Sequence, residues 1–347
     1  MNKTSITLLI CFIGLSVTLG IAQPADDPVT HMTQFTTREE ALSKSYLSYM
    51  SEIAHGGKAR KMEKRRIEMI NSIKQALNES GRVKPYKGDA TLRDAYRNYW
   101  TVLLSVLTED YGKIMDMEEV AERSYDAMEA YLIIQQKADE KVNEAFNKVV
   151  DVYNTFAANN HVTLIGGNSS KLSKRLTQLG AANTYLNQVF LIYFKSTVQE
   201  KLAFDALNTN DINGLEQTKG SLAKYAVEGL THLDTLRPYK NDGSLVNACR
   251  KVLEFQKSEA ESMATFSDFL INKGEFEKTQ KSFNLKPAAK RTQVDVDAYN
   301  KSIDEQNKAV NGYNKVNNEL NKQRDKVMTN WESTRRRFMD THFPRKI

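Results

Sequence analysis

Residues 84–97 read KPYKGDATLRDAYR and residues 237–250 read RPYKNDGSLVNACR, and the pairing of these two stretches decides how the chain is organised. Seven of the fourteen positions are identical: Pro85/Pro238, Tyr86/Tyr239, Lys87/Lys240, Asp89/Asp242, Leu92/Leu245, Ala95/Ala248 and Arg97/Arg250. The offset of 153 recurs downstream, where Glu144-Ala145-Phe146-Asn147-Lys148 matches Asp297-Ala298-Tyr299-Asn300-Lys301. Two separated stretches holding one offset predict a tandem duplication. Upstream, Ser45-Tyr46-Leu47 resembles Thr184-Tyr185-Leu186 at an offset of 139, the difference falling in a loop over 208–214. The period is too long for a solenoid repeat, so a whole bundle of about four helices is the unit copied.

Six prolines and 16 glycines in 347 residues, with abundant Ala, Leu, Lys, Glu and Gln, favour helix throughout. Pro24 to Thr36 reads as a loose polar leader. Thr37-Arg38-Glu39-Glu40 has the form of a capping box, which places the start of the first helix at Thr37. His55-Gly56-Gly57 ends it. A basic helix over 58–79 carries Ile67, Ile70, Ile73 and Leu77 on one face. The turn at 84–89 leads into a helix over 91–107, a long helix from Asp116 to Ala158, and a loop over 161–170. In the second copy Lys273-Gly274 and Lys286-Pro287 read as helix breaks. Gln293 to Thr341 then carries a seven-residue stripe: Val296, Ile303, Val310, Asn317, Arg324, Trp331 and Phe338, beside Tyr299, Gln306, Tyr313, Leu320, Val327 and Thr334. Its polar members predict an intrachain bundle with a wet stretch instead of a dry parallel dimer.

The expected fold is therefore all-α, a duplicated four-helix unit with long helices packed as antiparallel bundles. The segments are a signal peptide (1–22), a flexible leader (23–36), repeat 1 (37–165), a loop and helix start (166–178), repeat 2 (179–341) and a basic tail (342–347). The signal reading rests on Lys3, the apolar run Ile6 to Leu19, and Gly20-Ile21-Ala22 before a cut at Gln23. That run is shorter than the roughly 20 residues of a membrane span, and Asp26 and Asp27 follow it. A retained anchor is the competing reading. Cleavage removes Cys11 and leaves Cys249 alone, so no intramolecular disulfide can form, and Cys249 reads as a small core residue. An exported soluble or peripheral protein of the envelope or surface follows.

The net charge of +6 is uneven. Six basic residues lie between Lys58 and Arg66, eight acidic ones between Glu109 and Glu129, and the C-terminal stretch from Arg335 is basic again. In an exported chain such runs point to solvated helix faces, or to an anionic surface, glycan or acidic partner; nucleic acid is not expected. His31, His55, His161, His232 and His342 have no metal-ligand spacing and read as surface or capping residues. Ser221-Leu222-Ala223-Lys224 matches Ser-x-x-Lys without the supporting elements of a penicillin-recognising enzyme. The carboxylates Glu118, Glu119, Glu122, Asp126 and Glu129 lack an acidic partner helix in the second copy. No catalytic, cofactor or metal residue is assigned.

What remains is the repeated turn itself. Pro85 and Pro238 fix it, Asp89 and Asp242 cap the next helix, Tyr86 and Tyr239 wedge it against the bundle, and Leu92 and Leu245 open the buried face. Lys87, Lys240, Arg97 and Arg250 could instead serve a ligand. On Pro-Tyr-Lys-x-Asp-x-x-Leu-Arg and Glu-Arg-Ser-Tyr-Asp-Ala-Met-Glu-Ala-Tyr (122–131), the chain resembles uncharacterised helical surface proteins of Bacteroidetes-like and spirochaete bacteria. The resemblance implies an envelope location and no particular activity. The expected function is a non-enzymatic binding or scaffold module with a protein, glycan or envelope partner. A small-ligand carrier with a pocket between Tyr- and Phe-rich helices is the alternative.

Overall fold

The structure is a computed structural model that describes residues 27–55, 59–110, 121, 123–164 and 171–344. The expected signal peptide and its cut, much of the acidic stretch after Glu109, the Gly166-Gly167-Asn168 loop and residues 345–347 lie outside the described residues. Those described form an all-α fold of α1 (Pro28–Ala54), α2 (Ala59–Gly81), α3 (Thr91–Ser105), α4 (Tyr125–Asn159), α5 (Lys171–Asn208), α6 (Ile212–Thr235), α7 (Ser244–Ser262), α8 (Ala264–Leu285) and α9 (Gln293–His342). A π-turn, Val106–Asp110, extends α3. No described helix is long and apolar enough to cross a membrane. The chain divides into two compact units at Asn187/Gln188 and again at Arg335/Arg336.

The first unit begins earlier than the capping box suggests. Asp27 accepts the Thr30 N–H at 2.7 Å and Pro28 occupies the first helical position, a start that suits its fixed φ. Met32 and Phe35 are fully buried, so helix through 28–36 brings two large apolar groups into the core. The expected leader is therefore helical from Pro28, and Thr37 lies inside α1. Arg38–Glu79 and Lys61–Glu52 contacts run α1 and α2 antiparallel. Arg66 donates to the Leu107 carbonyl across α2 and α3, and Tyr99 meets Phe146 edge-on across α3 and α4. Phe35 stacks on Tyr96 at 5.3 Å and, one turn on, Glu39 meets Tyr99 and Trp100, so α1 runs parallel to α3. The result is an up-down-up-down bundle.

The start of α5 and the end of α9 complete this unit. Tyr185 stacks on Phe338, and His55 Nε2 lies 3.2 Å from Asp340. His55 is 2 % exposed and packs beside Phe343, so it is a core residue and not a surface histidine. His342 still belongs to α9 and Phe343 is buried, which shortens the expected tail.

The second unit begins in the same order, helix, helix, turn, helix, and then has α8 before the long α9. Lys195–Glu228 links α5 to α6, and Ser196 bonds Gln256 at 2.6 Å between α5 and α7. At Gly229 three helices converge. A Cβ there would lie 2.9 Å from Leu253 Cδ2 and 3.1 Å from the Ile192 carbonyl, so any side chain would crowd both neighbours. Leu215, Leu222, Phe255, Met263, Phe266, Leu270 and Leu320 form the core. Only Met263 separates α7 from α8, and α8 runs unbroken through Lys273-Gly274, against the expected break. Helix stops at Lys286-Pro287, where proline removes a backbone donor. The stripe on α9 faces inward: all thirteen positions are at least partly buried, with Leu320, Trp331, Thr334 and Phe338 fully so.

Candidate functional site

The two Pro-Tyr-Lys-x-Asp segments adopt the same turn. Tyr86 and Asp89 exchange backbone hydrogen bonds of 2.9 and 2.8 Å, and Asp242 N–H donates to the Tyr239 carbonyl at 2.8 Å. Both central residues have positive φ: 49° and 89° at Lys87 and Gly88, 48° and 66° at Lys240 and Asn241. That is the type I′ turn, and Gly or Asn at its second position carries the least strain there. The Asp carboxylates accept the first amide of the following helix, Thr91 N–H at 2.8 Å and Ser244 N–H at 2.9 Å. They do so from one residue ahead of the N-cap, which is Ala90 in one helix and Gly243 in the other.

The remaining repeated residues fasten the turn. Lys87 and Lys240 set their ammonium groups over the preceding tyrosine rings at 5.2 and 5.3 Å. Tyr86 is buried against His31 and Phe156, while Tyr239 is half-buried. Leu92 and Leu245 are fully buried at the start of α3 and α7. Each arginine reaches back to the end of the helix before the turn. Arg97 donates to the Leu77 carbonyl and to Ser80 Oγ in the last turns of α2. Arg250 instead pairs with Asp234 at 2.7 Å. Pro85 and Pro238 are exposed and act through the backbone alone. A ligand would have to compete with these bonds.

Two buried polar clusters were not foreseen from the motifs. Glu39, 4 % exposed, accepts from Trp100 Nε1 at 2.9 Å, Tyr99 Oη at 3.3 Å and Ser43 Oγ at 3.4 Å. Burial outweighs these donors and pushes its carboxyl up to about 8. The signal was present in the sequence: Met32, Phe35, Glu39, Leu42 and Tyr46 keep three- and four-residue spacing, which puts Glu39 inside an apolar stripe. In the second unit Arg324 bridges Glu200 and Glu259 and lies over the Phe204 ring at 4.7 Å. Gln256 adds bonds to Thr197 and Glu200. Burial and the neighbouring Glu200 raise the Glu259 carboxyl, while the two carboxylates hold the Arg324 cation. The wet stretch of the α9 stripe is thus filled by charges from α5 and α7.

His31 is also interior, not a surface residue. It stacks on Phe156 at 5.5 Å, and burial lowers its pKa. Cys249 is fully buried beneath the Val189 carbonyl, and burial pushes its thiol up. The basic run of α2 is partly neutralised at home, since Lys61 pairs with Glu52, Arg65 with Glu68 and Arg66 with Glu63. An open groove of about 780 Å³ runs beside the first turn between α3 and α4, edged by Asp89, Asp94, Lys141, Glu144 and Lys148. Among the described residues no three His, Cys, Asp or Glu side chains are grouped to hold a metal ion. Compared with family models, with curated proteins and with solved structures, the chain matches none.

Proposed function

We propose that the chain is an exported, non-enzymatic helical scaffold of the bacterial envelope, built by duplicating one four-helix unit, which binds a protein, glycan or anionic partner on its exterior. The observation that carries this reading is where its chemistry-bearing side chains go. Tyr96, Tyr99, Trp100, Phe146 and Tyr153 are nearly or fully buried and pack on one another or on their neighbours. Glu39 and Glu259, whose raised pKa values would mark acid–base residues in a cleft, are 4 % and 0 % exposed. Aromatic residues used as core leave little for an enclosed pocket, which weighs against the carrier alternative; the groove beside the first turn is open and rimmed by charge. Support for duplication comes from the shared offset and the shared I′ turn.

Crosslinking in cells of the source organism, followed by identification of the adducts, tests the reading. Adducts with envelope proteins or glycans are expected. Adducts confined to cytosolic components would overturn it, and a bound small molecule recovered from the native protein would favour the carrier instead.

A further inference from the structure

The polar stretch of α9 closes on a buried cluster whose charges do not balance. Arg324 Nε donates to Glu200 Oε1 of α5 at 2.5 Å, and its Nη2 donates to Glu259 Oε1 of α7. Its Nη1 is taken by Asn321 Oδ1 at 2.6 Å. Gln256 donates from Nε2 to Glu200 Oε2 at 3.1 Å and accepts the Ser196 hydroxyl on Oε1 at 2.6 Å. Both oxygens of Glu200 therefore have donors. Glu259 is fully buried, and its Oε2 has none. Two carboxylates meet one guanidinium here, so the cluster with both glutamates ionised carries one uncompensated negative charge. Phe204 and Phe255 flank the guanidinium at 4.7 and 5.8 Å, which keeps the surroundings apolar.

An uncompensated charge in such a place takes up a proton instead of staying ionised. A proton on Glu259 removes both faults, since the charges then sum to zero and Oε2 becomes a donor. Its acceptor is Glu200, which lies within hydrogen-bonding reach. The charged groups that act on Glu259 are Glu200 from α5 and Arg324 from α9, and its own helix adds the neutral Gln256. We propose that Glu200, Glu259 and Arg324 form a proton-operated latch. A proton shared by the two glutamates keeps the middle of α9 seated on α5 and α7, and its loss lets that stretch lift. Leu320 and Val327, a turn to either side of Arg324, pack in the same core, so opening there frees both. The seated state holds a proton that the lifted state releases above the ordinary carboxyl value of 4.5, so seating is strongest in acid and weakens as pH rises. The latch depends on neither export nor the duplication.

Infrared spectra of the full chain in a Glu39→Gln background, which removes the other buried acid, test it. At about pH 6 the C=O stretch of a protonated carboxyl should be present, and it should vanish in alkali. Glu259→Gln should abolish the band. Glu200→Gln leaves one carboxylate for one guanidinium, so the band should be lost at lower pH although Glu259 is still in place. Hydrogen exchange over residues 316–331, corrected for its intrinsic rise with pH, reads the seating. Protection there should fall by up to about tenfold per pH unit above 4.5 in the chain that keeps Glu259 and stay flat in Glu259→Gln. Circular dichroism checks that the variants remain helical, and the titration of the intact cluster stands even where a variant fails to fold. Absence of the band at about pH 6 overturns the proposal. So does a band indifferent to Glu259→Gln or to Glu200→Gln, and so do equal slopes of protection with and without Glu259.

Discussion

Glu39 makes the stability of the first unit fall as pH rises, and Glu39→Gln removes that dependence. The carboxyl is lifted from 4.5 to about 8 by burial. Between those values the folded chain holds a proton that the unfolded chain has released, so stability is fully present at low pH and is lost as pH climbs through the window. Complete ionisation would remove about 4–5 kcal/mol. His31 acts oppositely: its lowered pKa means the unfolded chain binds the extra proton, so its contribution grows with pH and levels off above its ordinary value of 6.5. From pH 6.5 to 8 Glu39 therefore acts without that opposition, and it accounts for about 2 kcal/mol of loss. The chain has two tryptophans, and Trp100 sits on Glu39 itself. Urea unfolding followed by Trp100 fluorescence in a Trp331→Phe background reads the first unit. Over pH 6.5 to 8 the midpoint should fall in the chain that keeps Glu39 and stay flat in the Glu39→Gln variant. Equal slopes in both proteins would refute the burial argument.

Further perturbations follow from the same packing. Arg324→Met leaves Glu259 buried without its cation and should cost about 3–5 kcal/mol, read by Trp331 fluorescence, while the added change Glu259→Leu should recover much of it. Gly229→Ala should destabilise the second unit by about 1–3 kcal/mol in thermal melts, because the new methyl meets Leu253 and the Ile192 carbonyl. Asn241→Gly should stabilise by several tenths of a kcal/mol, since φ of 66° is unstrained for glycine. Cys249 should resist a thiol reagent until the chain is unfolded, as its burial and raised pKa require.

Much of the fold was legible because periodicity and turn chemistry report it directly. The seven-residue stripe of α9 gave its inward face, and the recurrence of Pro-Tyr-Lys-x-Asp gave two turns of one conformation. Errors arose where a local signal competed with burial. Thr37-Arg38-Glu39-Glu40 has the letters of a capping box, but Met32 and Phe35 make helix upstream more favourable, and Glu39 enters the core. Lys273-Gly274 looked like a break, yet glycine with open space around it costs a helix only about 1 kcal/mol. The charge cluster could not be read, since Glu200 and Glu259 meet Arg324 from helices far apart in sequence. Local motifs also misplaced His31 and His55, because their partners Phe156 and Asp340 are distant in the chain.

The envelope reading rests most heavily on export. Intact-mass analysis of the protein recovered from its cells measures this directly. An exported chain gives an envelope or extracellular species that begins at Gln23, with or without cyclisation of that residue. A cytosolic species that retains Met1 to Ala22 would contradict it.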